Sequence, residues 1–138
     1  MKAMPGLIAA ATLLAGCVTS DSSGDPFAAM VTGVPAARAD AIAARIADKP
    51  LGSVENPIRV NMPPGQRDYL SRLRCANAAA PTFQRIGSTG MGPYGQIVDA
   101  YQVDCPGSTP AAGLLHLDMY HPTHVETQAP AGFTLIPR

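Results

Sequence analysis

Gln96-Ile97-Val98-Asp99-Ala100-Tyr101-Gln102-Val103-Asp104-Cys105 is the stretch whose reading decides the fold. Ile97, Tyr101, Val103 and Cys105 fall on one side and Gln102 and Asp104 on the other, the period-two pattern of a strand with one face in a core. Leu114 to His121 alternates in the same way, and Pro106 to Gly113 is the loop between them. Before this pair, Thr82 to Ile86 reads as a further strand, followed by a glycine-rich loop from Gly87 to Gly95. Further upstream, Tyr69, Leu70 and Leu73 are spaced as on one helix face, so Gln66 to Cys75 is expected to be helical, with Asp68 and Arg72 paired at i,i+4. Ile58-Arg59-Val60 is a short strand stopped by Pro63-Pro64-Gly65. The order strand, helix, strand, strand, strand predicts an α+β domain over residues 55–138: a small antiparallel sheet of three to four strands with one helix packed on its inner face.

Residues outside that domain divide simply. Pro35 to Asp48 is rich in Ala and Arg, with Ile42 and Ile46 four apart, and predicts a short amphipathic helix. Its narrow apolar stripe suits a peripheral element, so 34–54 is expected to be helix plus linker, packed loosely on the domain or standing off it. Residues 17–33 begin small and polar and read as a flexible tether. Of the 138 residues, 46% are hydrophobic, and ten Lys and Arg balance ten Asp and Glu. That balance argues against a nucleic-acid partner, which calls for a basic excess on one face. The neutrality is nevertheless a sum of opposites. Arg59, Arg67, Asp68, Arg72, Arg74 and Arg85 make the stretch before Val98 basic, whereas Asp99, Asp104, Asp118 and Glu126 make the later strands acidic. The two halves can neutralise each other within one domain, or leave an arginine surface, Arg67 and Arg74 foremost, for an anionic envelope component or an acidic protein.

Met1-Lys2, the apolar run Leu7 to Ala15 and the small residues at its end have the form of a secretory signal. The stretch from Ala3 to Gly16 would make a helix of about 21 Å, too short for a hydrocarbon core of roughly 30 Å. Leu14-Ala15-Gly16-Cys17 resembles the lipobox of bacterial lipoproteins. That resemblance implies removal of residues 1–16 and a covalent lipid on Cys17, the one non-protein group expected, with attachment to a membrane through its acyl chains. Val18 after the lipid site resembles the sorting pattern of outer-membrane rather than inner-membrane lipoproteins, so the domain is expected in the periplasm.

With Cys17 set aside, Cys75 and Cys105 form an even remainder in an exported chain, the condition under which a disulfide is expected. It would close a loop of about thirty residues, worth on the order of 3–4 kcal/mol to a small domain.

Motifs that carry chemistry are weaker. Gly90-Met91-Gly92-Pro93-Tyr94-Gly95 matches the dinucleotide-binding spacing in form, but Pro93 removes an N–H and a strand follows where a helix is required, so the glycines read as turn residues. All three histidines lie between His116 and His124. His116, Asp118, His121, His124 and Glu126 supply ligand types for a zinc-like ion, although Pro122 forbids a helical His spacing. The structural alternative is that Asp118 and His121 hydrogen-bond within the sheet edge and its loop. A hydrolytic triad of Ser88, His116 and Asp118 lacks the nucleophile elbow that would support it. Tyr94, Tyr101 and Tyr120 could line a small-ligand pocket.

Arg72-Leu73-Arg74-Cys75, Gly92-Pro93-Tyr94-Gly95 and Asp118-Met119-Tyr120-His121, with Glu126 and Gly132-Phe133, give the last ninety residues a resemblance to a small domain of exported proteobacterial proteins that has no assigned activity. The resemblance implies an envelope domain stapled by its cysteines and directs attention to Tyr94, Asp118, Tyr120 and His121. The expected function is therefore a membrane-anchored, non-enzymatic binding module facing the periplasm. The alternative is a periplasmic metal-dependent or hydrolytic enzyme using His116, Asp118, His121 and His124.

Overall fold

The computed structural model describes residues 32–138. The signal segment, Cys17 and the tether up to residue 31 lie outside the described residues. Two helices and six strands follow in chain order: α1 (Ala36–Arg45), β1 (Ile58–Arg59), α2 (Met62–Arg72), β2 (Leu73–Cys75), β3 (Thr82–Met91), β4 (Ile97–Asp104), β5 (Ala112–Asp118) and β6 (Phe133–Leu135). The fold is α+β. Four strands form a sheet in the order β1-β5-β4-β3, and β2 with β6 forms a second, two-stranded sheet. Among the described residues no helix is long and apolar enough to cross a membrane.

The alternating stretch forms β4, the centre of the larger sheet, antiparallel to β3 on one side and β5 on the other. The sheet is mixed, because β1 runs parallel to β5, with Ile58 opposite Leu117 and Arg59 opposite Asp118. This corrects the all-antiparallel expectation. A parallel neighbour needs a long crossover, and here α2, β2, β3 and β4 all lie between the paired strands.

Helix α2 begins four residues earlier than the apolar spacing suggests. Pro63 and Pro64 sit in its first turn, where a missing N–H costs nothing and the fixed φ suits the helix. It ends at Arg72, and Leu73–Cys75 turns into β2 and pairs with β6, placing Leu73 opposite Leu135 and Cys75 opposite Phe133. Tyr69, Leu70 and Leu73 from this segment are buried against Tyr101, Val103, Leu115 and Leu117 of the sheet, with Ile58 and Val60 completing the main core.

The Cys75–Cys105 disulfide is present, with sulfurs 1.96 Å apart and Cα atoms 5.8 Å apart. It joins the small sheet to the end of β4, not the end of a helix to the sheet, because the chain has already left α2 at Cys75. Strand β3 also exceeds its expected length: the segment through Met91 stays extended and pairs with β4 through two register shifts.

Helix α1 does not stand off. Val34, Ala39 and Ile42 are buried against Tyr94 and Tyr120 in a second apolar cluster. The Val34 N–H donates to the Tyr120 carbonyl at 2.7 Å. Gly33, at φ +77°, lies so close to Pro122 that a Cβ there would stand 2.6 Å from its Cδ. A side chain at this position would separate α1 from the domain.

Candidate functional site

Asp118 ends β5 on the face opposite Leu117, where the chain turns toward α1. One oxygen, Oδ1, accepts the Tyr120 N–H at 3.0 Å. The other, Oδ2, stands 3.4 Å from His121 Nε2 without the alignment of a hydrogen bond, and both atoms are fully enclosed. The Tyr94 ring closes over the imidazole edge-on, 4.7 Å between centroids, and Arg59 lies 5.9 Å above that tyrosine. The structure thus brings Tyr94, Asp118, Tyr120 and His121 together. They form a buried cluster, covered by the 92–95 turn and α1.

The remaining ligand-type residues go elsewhere. His116 Nδ1 lies 3.0 Å from the Gly52 carbonyl oxygen, and the His116 N–H donates to the same oxygen. His124 Nε2 pairs with Glu126 Oε2 at 3.2 Å, while Glu126 Oε1 accepts the N–H groups of Thr127 and Gln128. Burial works to raise the Glu126 pKa, but these three hydrogen bonds outweigh it and hold the carboxyl below its ordinary range. Among the described residues, no group of three or more His, Cys, Asp or Glu is placed to hold a metal ion. Ser88 lies opposite Asp99 on the β3–β4 ladder, whereas His116 stands opposite Ala100 on the β4–β5 ladder. Tyr101 is absorbed into the core, its hydroxyl donating to Gln66 Oε1 at 2.9 Å.

That bond belongs to a buried network foreseen from neither end. Gln66 Nε2 donates to Asp99 Oδ2 at 2.9 Å, and Arg85 closes the other oxygen at 2.7 Å. Burial again opposes the charge on Asp99, and the bonds from Arg85 and Gln66 bring its pKa below the usual value. The basic and acidic halves of the sequence do meet here. Of the two arginines expected at a binding surface, Arg67 is exposed, and Arg74 folds back so that Nη1 donates to the carbonyls of Ser71 and Leu73.

The open chemistry lies between α2 and the 122–126 segment. A cleft of about 330 Å³ is lined by Arg59, Asp68, Arg72, His124, Glu126 and Arg138, with Asn61 and Thr123 at its sides. Asp68 Oδ2 receives Arg72 Nε at 3.3 Å and Arg138 Nη2 at 2.8 Å. Its pKa is lowered, first by the Arg138 hydrogen bond. A second cleft of about 390 Å³ opens toward α1, between Ala43, Ala44 and Ala47 on one side and Pro57, Tyr94 and Gln128 on the other. Arg59, His124 and Glu126 belong to both clefts.

Sequence reading placed Arg59 and Arg72 in the basic half without singling them out, and it missed Arg138. The Asp68 and Arg72 spacing was a usable local signal. Arg138 reaches Asp68 across seventy positions, and no local pattern announces that. Comparison with protein-family models, with curated proteins and with solved structures finds no match to this chain.

Proposed function

We propose that this chain is a lipoprotein of the bacterial envelope, held through a lipid on Cys17 to a membrane, the outer one favoured. Its disulfide-stapled domain then faces the periplasm and serves as a non-enzymatic binding module for an anionic envelope component or protein. The observation that carries this reading is the pair of clefts sharing Arg59, His124 and Glu126, an open surface onto which Arg59, Arg72 and Arg138 converge. The histidines that an enzyme would use are each engaged at a separate place: His116 with Gly52, His121 beside Asp118, and His124 with Glu126.

Site-specific photocrosslinking in cells tests the binding role. A photoreactive residue at Thr123, on the exposed rim of the first cleft, is expected to capture a discrete product. The same probe at Gln84, exposed on β3, should give only background. Equal background from both positions would overturn the binding reading. Labelled palmitate should enter the native chain and not the Cys17→Ser variant. Label in both, or in neither, would remove the anchor.

A further inference from the structure

Resting on the binding-module reading, we propose that the cleft between α2 and the 122–126 segment is a phosphate site, with Arg59, Arg72 and Arg138 as the groups that hold the oxyanion. The side chains of Arg59 and Arg72 are only 14% and 13% exposed, so both cations are fixed in place and largely withdrawn from water. Each lies 5.9 Å from an aromatic ring, Arg59 over Tyr94 and Arg72 over Tyr69. A guanidinium carries five N–H donors in a rigid fork. Within the described residues, Arg59 commits Nη1 to Asp40, Arg72 commits Nε and Nη1 to Asp68 and Ile136, and Arg138 commits Nε and Nη2 to Asp68. Every fork therefore keeps at least one nitrogen with no protein acceptor.

The two carboxylates in the cleft are largely engaged already, with Asp68 Oδ1 the one oxygen left open among the described residues. Both Glu126 oxygens are engaged by His124 and backbone N–H groups, and Asp68 Oδ2 is the atom that gathers Arg72 and Arg138. Arg59, Arg72 and Arg138 face Asp68 and Glu126 in the cleft, with Asp40 paired to Arg59 beside it, so the formal charges balance. An anion would be held by the guanidinium nitrogens left uncommitted. The α2 N-terminus contributes no donor to this count. Met62 and Gly65 give their N–H groups to Met119 and Asn61, and Pro63 and Pro64 have none. Three forks around one cleft offer more donors than the two oxygens of a carboxylate accept, whereas a phosphate monoester presents three oxygens. The ligand chemistry is thus a phosphate group, available from a free phosphate ester or from the headgroup of an anionic phospholipid.

The test is calorimetric titration of the full-length chain with inorganic phosphate, alongside sedimentation with phosphatidic acid vesicles and with phosphatidylcholine vesicles as the neutral control. Saturable binding to phosphate or to phosphatidic acid vesicles is expected. Arg138→Gln and Arg72→Lys should each weaken it about tenfold, the effect of losing one charge-assisted hydrogen bond. The lysine variant keeps the charge and loses the fork, so its defect separates geometry from net charge. Arg45→Gln, exposed on α1 and outside the cleft, should leave binding unchanged, and circular dichroism on all three variants controls for folding. Binding to vesicles alone assigns the group to a lipid headgroup, and binding to free phosphate alone assigns it to a soluble ester. Absence of saturable binding in both arms overturns the proposal, as does binding that Arg138→Gln and Arg72→Lys leave intact. Either failure leaves the crosslinking result standing, so the module reading and its ligand chemistry are decided separately.

Discussion

Asp118 sits where a carboxyl is hardest to replace. It is fully buried, satisfies the Tyr120 N–H, and holds its second oxygen 3.4 Å from His121 Nε2. Asp118→Ala leaves the Tyr120 amide buried and unpaired and is expected to cost about 1–3 kcal/mol, measured by urea denaturation. Ala78 gives a prediction of the opposite sign. It occupies the left-handed region at φ +65° in the turn that returns the Ala78 N–H to the Cys75 carbonyl. Ala78→Gly removes the Cβ clash and should stabilise the fold by up to about 1 kcal/mol, after allowance for the greater freedom of glycine in the unfolded chain. A loss of stability in that variant would disprove the strain argument. The proximity of Asp118 and His121 was legible from the sequence, since only three positions separate them. Their burial was not, because it depends on Tyr94 and α1 arriving from distant positions.

At the level of elements, α1 is held by few contacts, and Gly33 is the narrowest of them. Gly33→Ala should release the helix from Tyr94 and Tyr120, so that α1 amides exchange with deuterium faster while those of β4 and β5 keep their protection. If exchange in α1 is unchanged, the close approach of Gly33 to Pro122 is not what holds it. The central strands could be placed because alternation holds from Tyr101 to Asp104 and from Leu114 to Leu117. The first half of β4 departs from it: Ile97, expected on the core face, is exposed, and Val98 to Tyr101 are all buried. The small sheet escaped reading for a physical reason. Leu73 continues the helical spacing of Tyr69 and Leu70, so three residues of β2 look like one more turn of α2. Its partner β6 is also only three residues long, too short to show a period. Pro63-Pro64 was read as a stop and is a helix start; proline fits both roles, and only the tertiary position distinguishes them. The cleft shared the same fate as β6, since Arg138 and the 122–126 segment reach α2 through the final return of the chain.

For the molecule as a whole, the disulfide and the buried carboxylates set the limits of stability. The Cys75–Cys105 bridge spans a sequence separation of 30, so the double Cys75→Ser, Cys105→Ser variant should lose about 3–4 kcal/mol in a urea titration. Acid acts through Asp99 and Glu126, whose hydrogen bonds hold them below their unfolded values against the opposing effect of burial. Their contribution is complete above the unfolded pKa, near about 4, and is lost as the pH falls through the lower folded values. The urea midpoint should therefore fall on acidification below about pH 4, and less steeply in Asp99→Asn. The disulfide also has a mechanical meaning. A pull on the amino-terminal side enters the fold at the Val34 to Tyr120 hydrogen bond and the Gly33 contact, and α1 is the first element in its path. If the domain then gives way, the thirty residues bracketed by the bridge cannot pay out, which withholds about 100 Å of contour length at roughly 3.4 Å per residue. Under force the chain would lengthen in two installments, on either side of a segment that keeps its ends together.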